Sequence, residues 1–340
     1  MSTETYKAVQ ISALGQFELV ERDVLPPPPG KVRIRVEACG VCHSDVITIL
    51  GLFPITYPRV PGHEVVGRID ALGEGVSAWR VGQRVGVGYL GGPDFECDPC
   101  RRGDFVNCLH QPVTGVTTDG GYAEVMFASA RGLVAVPDEL TPLDAAPLVC
   151  AGVTAYTALR NSDARSGDLV AIEGIGGVGH LALQFARSMG MRVAAIGRGS
   201  EKRGIAFELG AHVYLDAQDV DPGAALQAMG GAKVVLATAP SNKAAARLTA
   251  GLGIRGTLVI VGVGGDGPMP VSPTDVVFGS RSVVGALTGT TLETEETLTF
   301  SVQQGIRPMV EVMPLERADE AYARMMRGDA RFRIVLATGA

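Results

Sequence analysis

The sequence predicts an α/β protein with two domains, one rich in short β-strands and the other built on a doubly wound parallel sheet. Three observations support this prediction: the length of 340 residues, the abundance of glycine (45 residues), and a change of pattern near Asp144. A chain of this length is expected to bury more than one hydrophobic core. Short strands with glycine turns precede Asp144, and strands alternating with helices follow it, which indicates a parallel sheet.

The strand-rich part of the chain covers residues 7–140. It reads as many short strands with glycine turns, because glycine permits tight turns. Examples are the short runs at residues 32–36, 65–69 and 133–136. This part is therefore expected to form a compact β-rich domain.

The alternating part of the chain begins near residue 144. Strands are predicted at residues 168–173, 193–196, 213–215, 233–237, 257–261 and 282–285, and helices at residues 178–190 and 201–209. An amphipathic helix at residues 317–326 and a last strand at residues 332–336 are expected to return to the first domain. We therefore place one domain at residues 1–148 and 289–340, and the other at residues 149–288.

The composition excludes several classes of function. A net charge of −6 and an isoelectric point near 5.5 argue against nucleic acid or an anionic membrane surface as a partner. No stretch of the sequence reaches the roughly 18 apolar residues of a membrane span. The six cysteines occur in a chain too large to need disulfides. We therefore expect reduced cysteines, some of them metal ligands, and a cytoplasmic protein.

Three residues far apart in the sequence suit a metal ion. Cys42 lies in a Cys-Gly-Val-Cys-His-Ser-Asp segment, His63 in a Pro-Gly-His-Glu segment, and Cys150 at the start of a predicted helix. Two thiolates and one imidazole can hold a catalytic zinc and leave its fourth position open for water or substrate. A single buried cysteine is more often a packing residue, so this interpretation depends on the motifs that surround these three residues.

A glycine-rich motif follows the first strand of the alternating part. Gly174 permits a tight turn, Gly176 lets the backbone approach a pyrophosphate, and Gly179 allows the helix to pack closely on the strand. Gly177 and Val178 complete the motif. Because it links an apolar strand to a helix, whose N-terminus favours anions, it predicts a dinucleotide-binding site.

The choice between the two nicotinamide cofactors is made at the end of the second strand. An acidic residue there would bond the ribose 2′-hydroxyl of NADH and repel a 2′-phosphate. This chain has Gly197 and Arg198 there instead, and Lys202 and Arg203 follow closely. These cations favour NADPH. The alternative is that Arg198 is a solvated loop residue and that NADH binds through other contacts.

These motifs together resemble the zinc-dependent alcohol dehydrogenases of the medium-chain dehydrogenase/reductase family. The resemblance covers essentially the whole chain. It rests on Cys-His-Ser-Asp at residues 42–45, Gly-His-Glu at 62–64, Asp-Gly-Gly-Tyr-Ala-Glu at 119–124, Cys-Ala-Gly-Val-Thr at 150–154, and the glycine motif. It implies a GroES-like catalytic domain and a Rossmann cofactor domain.

The resemblance also implies roles for individual residues. The catalytic zinc ligands of the family carry over onto Cys42, His63 and Cys150. Glu64 matches a glutamate near the metal, and Asp45 matches a carboxylate that orients the ligand histidine.

The resemblance further implies a proton path and a cofactor contact. Ser44 matches the hydroxyl that receives the proton of the alcohol, and Thr154 lies in a motif that we assign to cofactor binding. Many relatives have a histidine where this chain has Ile47. His43 could replace it, or could contact the pyrophosphate, and water could also carry the proton.

A second zinc site is implied by the cysteine-dense segment. Cys97, Cys100 and Cys108 hold three of the four positions at which relatives have cysteines, and Asp94 occupies the remaining one. A carboxylate can serve as a zinc ligand, so we expect a structural site of one aspartate and three cysteines. Glu96 is a poorer candidate, and the alternative is a segment that has lost its metal.

Other residues have less specific assignments. Phe53 and Tyr89 lie where relatives have aromatic residues that line the substrate pocket, although both could be ordinary core residues. They suggest primary alcohols and aromatic or medium-length aldehydes. Cys39 and Trp79 are expected to pack in the β-rich domain.

Three functions remain open at this point. The first is an alcohol dehydrogenase or aldehyde reductase, favoured by Cys150 over the glutamate usual in polyol dehydrogenases. The others are a zinc-free reductase of activated double bonds and a nonenzymatic NADPH-binding protein. A homodimer or homotetramer is expected, with the apolar segments 257–263 and 282–287 as candidate contacts, although core burial explains these segments equally well.

Overall fold

The computed structural model describes residues 4–339, and these residues form two compact units. The first unit comprises residues 4–150 and 289–339, and the second comprises Ala151–Thr288. The C-terminal segment thus belongs to the same unit as the N-terminal strands. None of the described helices has the length and apolarity that a membrane crossing needs.

The N-terminal part of the first unit is mostly β-structure, as the sequence predicts. Its strands are β1 (Thr5–Ala13), β2 (Gln16–Asp23), β3 (Lys31–Val41), β4 (Glu64–Leu72), β5 (Arg84–Val87), β6 (Val125–Ser129) and β7 (Leu133–Ala135). Its helices are short: α1 (Val46–Ile49), α2 (Asp98–Arg101) and α3 (Pro142–Pro147), the last followed by a π-helical turn, Leu148–Gly152.

Strand β3 shows how the sequence pattern determines this sheet. Val32, Ile34 and Val36 are fully buried, while Arg33 and Arg35, between them, both bond the carboxylate of Asp70 on β4. Because side chains alternate between the two faces of a strand, this pattern fixes which face enters the core.

The second unit is a doubly wound parallel sheet. It contains α4 (Val153–Arg160), β8 (Leu169–Glu173), α5 (Gly179–Ser188), β9 (Arg192–Gly197), α6 (Arg203–Glu208), β10 (Val213–Asp216), α7 (Pro222–Ala228), β11 (Ala232–Ala237), α8 (Asn242–Arg247), β12 (Leu252–Ile260), α9 (Pro273–Gly279) and β13 (Ser282–Gly285). The strand order is β10-β9-β8-β11-β12-β13 and every pairing is parallel. This order is that of the dinucleotide-binding sheet.

The C-terminal part completes the first unit. It contains α10 (Thr291–Gln304), β14 (Val310–Pro314), α11 (Ala318–Arg327) and β15 (Arg333–Ala337). β15 pairs with β3 in a seven-stranded sheet of order β14-β15-β3-β4-β5-β7, in which β6 also pairs with β3. Residues of β15 thereby lie beside the strand that leads to Cys42.

The strands and helices predicted at named positions are present, with ends shifted by a few residues. Cys39 is fully buried, and Trp79 packs against the same core, as expected. Cys150 does not open a helix as predicted. It lies in the π-helical turn between α3 and α4. Such turns are frequent at functional sites.

Candidate active site

Four potential metal ligands converge inside the first unit. One donor atom from each of Cys42, His63, Glu64 and Cys150 lies within 4.8 Å of the others. Cys42 directly follows β3 and His63 directly precedes β4. Because these strands are antiparallel, with Gly40 opposite Glu64, the end of one strand lies beside the start of the next. The structure thus brings together the three residues assigned to a catalytic zinc.

The imidazole of His63 is oriented by its neighbours. Its Nδ1 lies 3.1 Å from Oδ1 of Asp45, and its Nε2 is buried without a hydrogen-bond partner among the described residues. A proton on Nδ1 leaves the Nε2 lone pair free for a metal. Burial alone would lower the pKa of His63, but Asp45 and Cys42 outweigh it and raise that pKa well above its usual value.

The two cysteines form a coupled pair. The neighbouring Cys150 holds the pKa of Cys42 well below its usual value, whereas Cys42 and burial raise the pKa of Cys150. One sulfur of the pair is thus readily a thiolate. Together with the unpartnered nitrogen of His63, this donor set fits a zinc ion.

Tyr122 also contacts Asp45. Oδ2 of Asp45 accepts hydrogen bonds from the backbone N–H of Cys42 at 3.0 Å and from the hydroxyl of Tyr122 at 2.8 Å. Both side chains are buried, so water does not compete for these bonds. The orientation that Asp45 gives to His63 therefore depends on Tyr122. Residues 119–124 support the family resemblance, but the sequence alone assigns no role to Tyr122.

Removing the hydroxyl of Tyr122 tests this contact. In Tyr122→Phe, Asp45 loses one of its donors and holds His63 less firmly, so we expect zinc affinity to fall by about tenfold. Competition with a chromophoric chelator measures this change. Tyr57→Phe is the matched control, because the Tyr57 hydroxyl donates to the carbonyl of Thr48 at 2.7 Å, outside the cluster. Equal zinc affinity in both variants would contradict the role given to Tyr122.

A buried ion pair joins Glu64 to Arg333 of β15. Nη2 of Arg333 contacts Oε1 of Glu64, and the two side chains are only 7% and 0% exposed. Burial raises the pKa of Glu64 to about 7, although Arg333 opposes this shift. Burial would lower the pKa of Arg333, but Glu64 outweighs it, so the guanidinium stays charged. Sequence reasoning missed Arg333, whose only local signal is a cation in an apolar strand.

The second predicted metal cluster is also assembled. One donor atom from each of Asp94, Cys97, Cys100 and Cys108 lies within 4.8 Å of the others. Oδ1 of Asp94 accepts the N–H of Cys97 at 3.0 Å, and Oδ2 lies 2.6 Å from Nδ1 of His110. The backbone hydrogen bonds and His110 hold the pKa of Asp94 well below its usual range. Three sulfurs and one carboxylate oxygen are a donor set that zinc accepts.

Replacing Asp94 tests this second site. In Asp94→Ala we expect the zinc content to fall from about two to about one ion per chain and the melting temperature to fall by several degrees, because a structural zinc stabilises the fold that holds it. Metal analysis and thermal unfolding measure the two effects. Glu96→Ala is the control, since Glu96 is exposed and lies outside the cluster. Unchanged zinc content and melting temperature in Asp94→Ala would contradict the aspartate–cysteine site.

The residues predicted for the proton path lie directly after Cys42. His43–Asp45 forms a short 3₁₀ turn that leads into α1. His43 is exposed, and both Ser44 and Ile47 are partly exposed. Ser44 thus lies two residues from the metal-ligand candidate Cys42 and is itself partly exposed. The roles of Ser44 and His43 stay predictions.

The two aromatic residues predicted for the substrate pocket differ in their surroundings. The ring of Tyr89 meets that of His63 edge-on, with centroids 5.1 Å apart and planes at 82°. Tyr89 therefore lies at the metal cluster. Phe53 is 59% exposed, so it is not an ordinary core residue.

The glycine motif has the geometry its sequence predicts. Gly174 has a φ of 85°, in the left-handed region that favours glycine. A Cβ atom on Gly179 would overlap the carbonyl of Gly174, whereas one on Gly176 would meet no atom within 4 Å. The backbone at Gly176 thus leaves space that a pyrophosphate can approach, at the N-terminus of α5.

The predicted specificity residues follow β9. Arg198 and Lys202 are exposed, and Nζ of Lys202 donates to the carbonyl of Ile175 in the glycine motif at 2.9 Å. Lys202 thus links the two predicted parts of the cofactor site. Thr154 is buried in α4, where its hydroxyl lies 3.4 Å from the carbonyl of Leu287; its cofactor role stays a prediction.

Two family models match the chain. The first, described as the alcohol dehydrogenase GroES-like domain, matches residues 28–138, and the second, described as zinc-binding dehydrogenase, matches residues 177–303. The alcohol dehydrogenase patD of Aspergillus clavatus is 40% identical in an alignment 341 residues long. The alignment covers 94% of this chain and 88% of the relative.

Solved structures of alcohol dehydrogenases and reductases share this fold. Cinnamyl alcohol dehydrogenase of Sorghum bicolor matches with a TM-score of 0.89 and 30% identity, covering 98% of each chain. Acetophenone reductase of Geotrichum candidum, solved with NAD, matches with a TM-score of 0.87 and 26% identity over 99% of this chain and 98% of that one. CAD from Helicobacter pylori, solved with NADP(H), has a TM-score of 0.86 and 27% identity over 99% of each chain.

A GroES-like β-domain with two thiol-rich groups of potential metal ligands, together with a sheet of the dinucleotide-binding order, is typical of the medium-chain dehydrogenase/reductase class. Within that class, the chain belongs to the zinc-type alcohol dehydrogenases. The resemblance stated from the sequence is therefore confirmed.

Proposed function

We propose that the protein is a zinc-dependent alcohol dehydrogenase and aldehyde reductase that moves a hydride between a nicotinamide cofactor and a primary alcohol or aldehyde. The observation that carries this proposal is the convergence of Cys42, His63 and Cys150, with the buried Nε2 of His63 left unpartnered. A buried nitrogen without a partner is costly, and a metal ion at this site removes that cost.

Each residue of the proposed site has a separate role. Cys42, His63 and Cys150 would hold the zinc, which when bound acts as a Lewis acid toward the substrate oxygen. Asp45 keeps the proton of His63 on Nδ1, so that Nε2 faces the two sulfurs. Ser44, a partly exposed residue, accepts the proton that the alcohol must lose before hydride transfer and passes it toward solvent.

Two aromatic side chains support a proposal for the substrate class. Tyr89 stands edge-on to His63, and Phe53 presents an exposed ring. Aromatic walls favour apolar substrates, so we propose primary alcohols and aldehydes with aromatic or medium-length chains.

The proposed cofactor is NADP(H), because exposed cations follow β9 where an acidic residue would select NADH. In Arg198→Ala we expect the dissociation constant for NADPH to rise by about tenfold or more, since a charge-assisted hydrogen bond to the 2′-phosphate is lost, with little change for NADH. Titration followed by nicotinamide fluorescence measures both constants.

The control for this prediction removes the same charge elsewhere. Arg192 lies at the opposite end of β9, where its guanidinium donates to the carbonyl of Met229. Arg192→Ala should leave both dissociation constants unchanged. Tighter binding of NADH than of NADPH by the wild-type protein would contradict the proposed preference.

The assembly and location are also proposals. Val263, Val284 and Leu287 of the two apolar segments are 81%, 43% and 57% exposed, and β13 is an edge strand. Because exposed apolar side chains along a sheet edge favour association, we propose a homodimer or homotetramer through these segments. The described cysteines form no disulfide, which supports a cytoplasmic location.

The experiment that tests the proposed function combines metal analysis with turnover. Purified protein is analysed for zinc and assayed with NADP⁺ and NAD⁺ on a series of aliphatic and aromatic primary alcohols. We expect bound zinc and turnover that is lost with a chelator and restored by added zinc. Turnover of activated double bonds by zinc-free protein would contradict the proposal and favour the reductase alternative.

A further inference from the structure

The end of β9 has no space for a side chain at position 197. A Cβ atom on Gly197 would overlap the hydroxyl of Tyr214 and would lie 3.0 Å from its Cζ atom. Tyr214 belongs to β10, the neighbouring strand, where it pairs with Ala195. Residues two apart lie on the same face of a strand, so position 197 and Tyr214 share one face of the sheet.

The ring of Tyr214 is held in place and cannot turn aside at low cost. It is only 9% exposed, and its hydroxyl donates to the carbonyl of Gly199 at 2.6 Å. The guanidinium of Arg203 lies over the ring, 5.4 Å from its centroid, in the geometry of a cation–π contact.

Strand β10 also holds the other backbone group of Gly199. Oδ1 of Asp216 accepts the N–H of Gly199 at 2.8 Å and that of Gln218 at 3.0 Å. Both backbone groups of Gly199 are therefore bonded to side chains of β10. Arg198 directly precedes Gly199 and is exposed. The two side chains of β10 therefore hold the backbone next to Arg198 in place.

We propose that Tyr214 is a specificity-determining residue for the cofactor. Its ring fills the space that an acidic side chain at position 197 would need, and its hydroxyl fixes the loop that presents Arg198. The acidic residue that would select NADH is thus not only absent from the end of β9. Tyr214 on β10 also leaves no space for its side chain. This inference rests on the proposed cofactor site, and it identifies Tyr214 as a residue that supports the NADPH preference.

The steric part is tested by the stability of four proteins: wild type, Gly197→Ala, Tyr214→Phe and the double variant. We expect Gly197→Ala to lower the melting temperature clearly in the wild-type background and distinctly less with Tyr214→Phe, which removes the atom of closest approach. Gly204→Ala is the control, because a Cβ there meets no atom within 4 Å. Equal losses of melting temperature in both backgrounds would overturn the inference.

The specificity part is tested by titrating NADH and NADPH into Gly197→Asp with and without Tyr214→Ala. We expect Gly197→Asp alone to weaken both cofactors, and the double variant to shift the ratio of the dissociation constants toward NADH by about tenfold or more. Gly204→Asp controls for the added charge. A complete shift to NADH in Gly197→Asp alone would overturn the inference.

The outcome for the wild-type protein separates this inference from the proposed function. A wild type that binds NADH more tightly, with the stability coupling between positions 197 and 214 intact, would contradict the proposed NADPH preference. In that case Tyr214 would still exclude an acidic side chain at position 197. Loss of the coupling would contradict the inference itself, whichever cofactor the wild type prefers.

Discussion

Cys42→Ala is expected to lower kcat/KM for alcohol oxidation by at least about a thousandfold, or roughly 4 kcal/mol of transition-state stabilisation. The reason is that Cys42 supplies the thiolate of the cluster whose pKa is lowered by its partner Cys150. Without it, only one sulfur and one imidazole of the three assigned ligands remain. Because the carboxylate of Glu64 is paired with Arg333, these two donors are too few to hold a catalytic zinc. His63→Ala should have the same effect, because it removes the nitrogen that has no other partner.

The measurements for this prediction separate chemistry from folding. Zinc content should fall together with kcat, while NADPH binding, followed by fluorescence, should be largely retained. Cys39→Ala is the matched control. Cys39 lies three residues before Cys42, on β3, and is also buried, but it packs in the core and should retain turnover. Near-normal activity in Cys42→Ala would mean that zinc at this cluster is not the electrophile.

Arg333→Met is expected to destabilise the protein by roughly 3–5 kcal/mol. Glu64 is fully buried and Arg333 nearly so, so removal of the guanidinium leaves a carboxylate without its counter-charge in a site that water does not reach. Glu64 then either stays ionised at a high cost or binds a proton at neutral pH. Chemical denaturation of the wild type and the variant at pH 7 measures the difference in free energy of unfolding.

Two further variants test the cause of this destabilisation. Arg333→Met with Glu64→Gln should recover part of the loss, since no unpaired charge remains. Arg324→Met breaks the Arg324–Glu311 pair, whose side chains are 29% and 30% exposed. This variant should lower the free energy of unfolding by less than about 1 kcal/mol. Similar losses for Arg333→Met and Arg324→Met would show that burial does not govern the strength of these pairs.

Local patterns carried the prediction of the fold. The alternation in β3 and the apolar run of β8 each indicate one strand from the pattern of consecutive residues alone. The glycine motif is local in the same sense, because its turn and its helix start are formed by consecutive residues. The donor residues of both metal clusters were predicted from residue type and family spacing, and the structure brings them together.

Some features could not be predicted locally, because their physical basis is a contact between distant residues. Cys150 was expected to open a helix, but packing places it in a π-helical turn. Nothing near Gly197 in the sequence indicates that a tyrosine from the next strand occupies the space beside it. Parallel pairing of β9 with β10 creates this proximity, and pairing is a property of the assembled sheet.

The sequence by itself determined the α/β class, the strands and helices, the glycine motif and the residue types of both metal clusters, since each is encoded in short-range periodicity or in donor chemistry. Only the tertiary structure decided which groups support those residues. Tyr122 reaches Asp45 across 77 positions of sequence, and Arg333 reaches Glu64 across 269. Such partners are selected by burial: a charge or hydroxyl removed from water must find a partner in space, and the folded chain, not the sequence neighbourhood, supplies it.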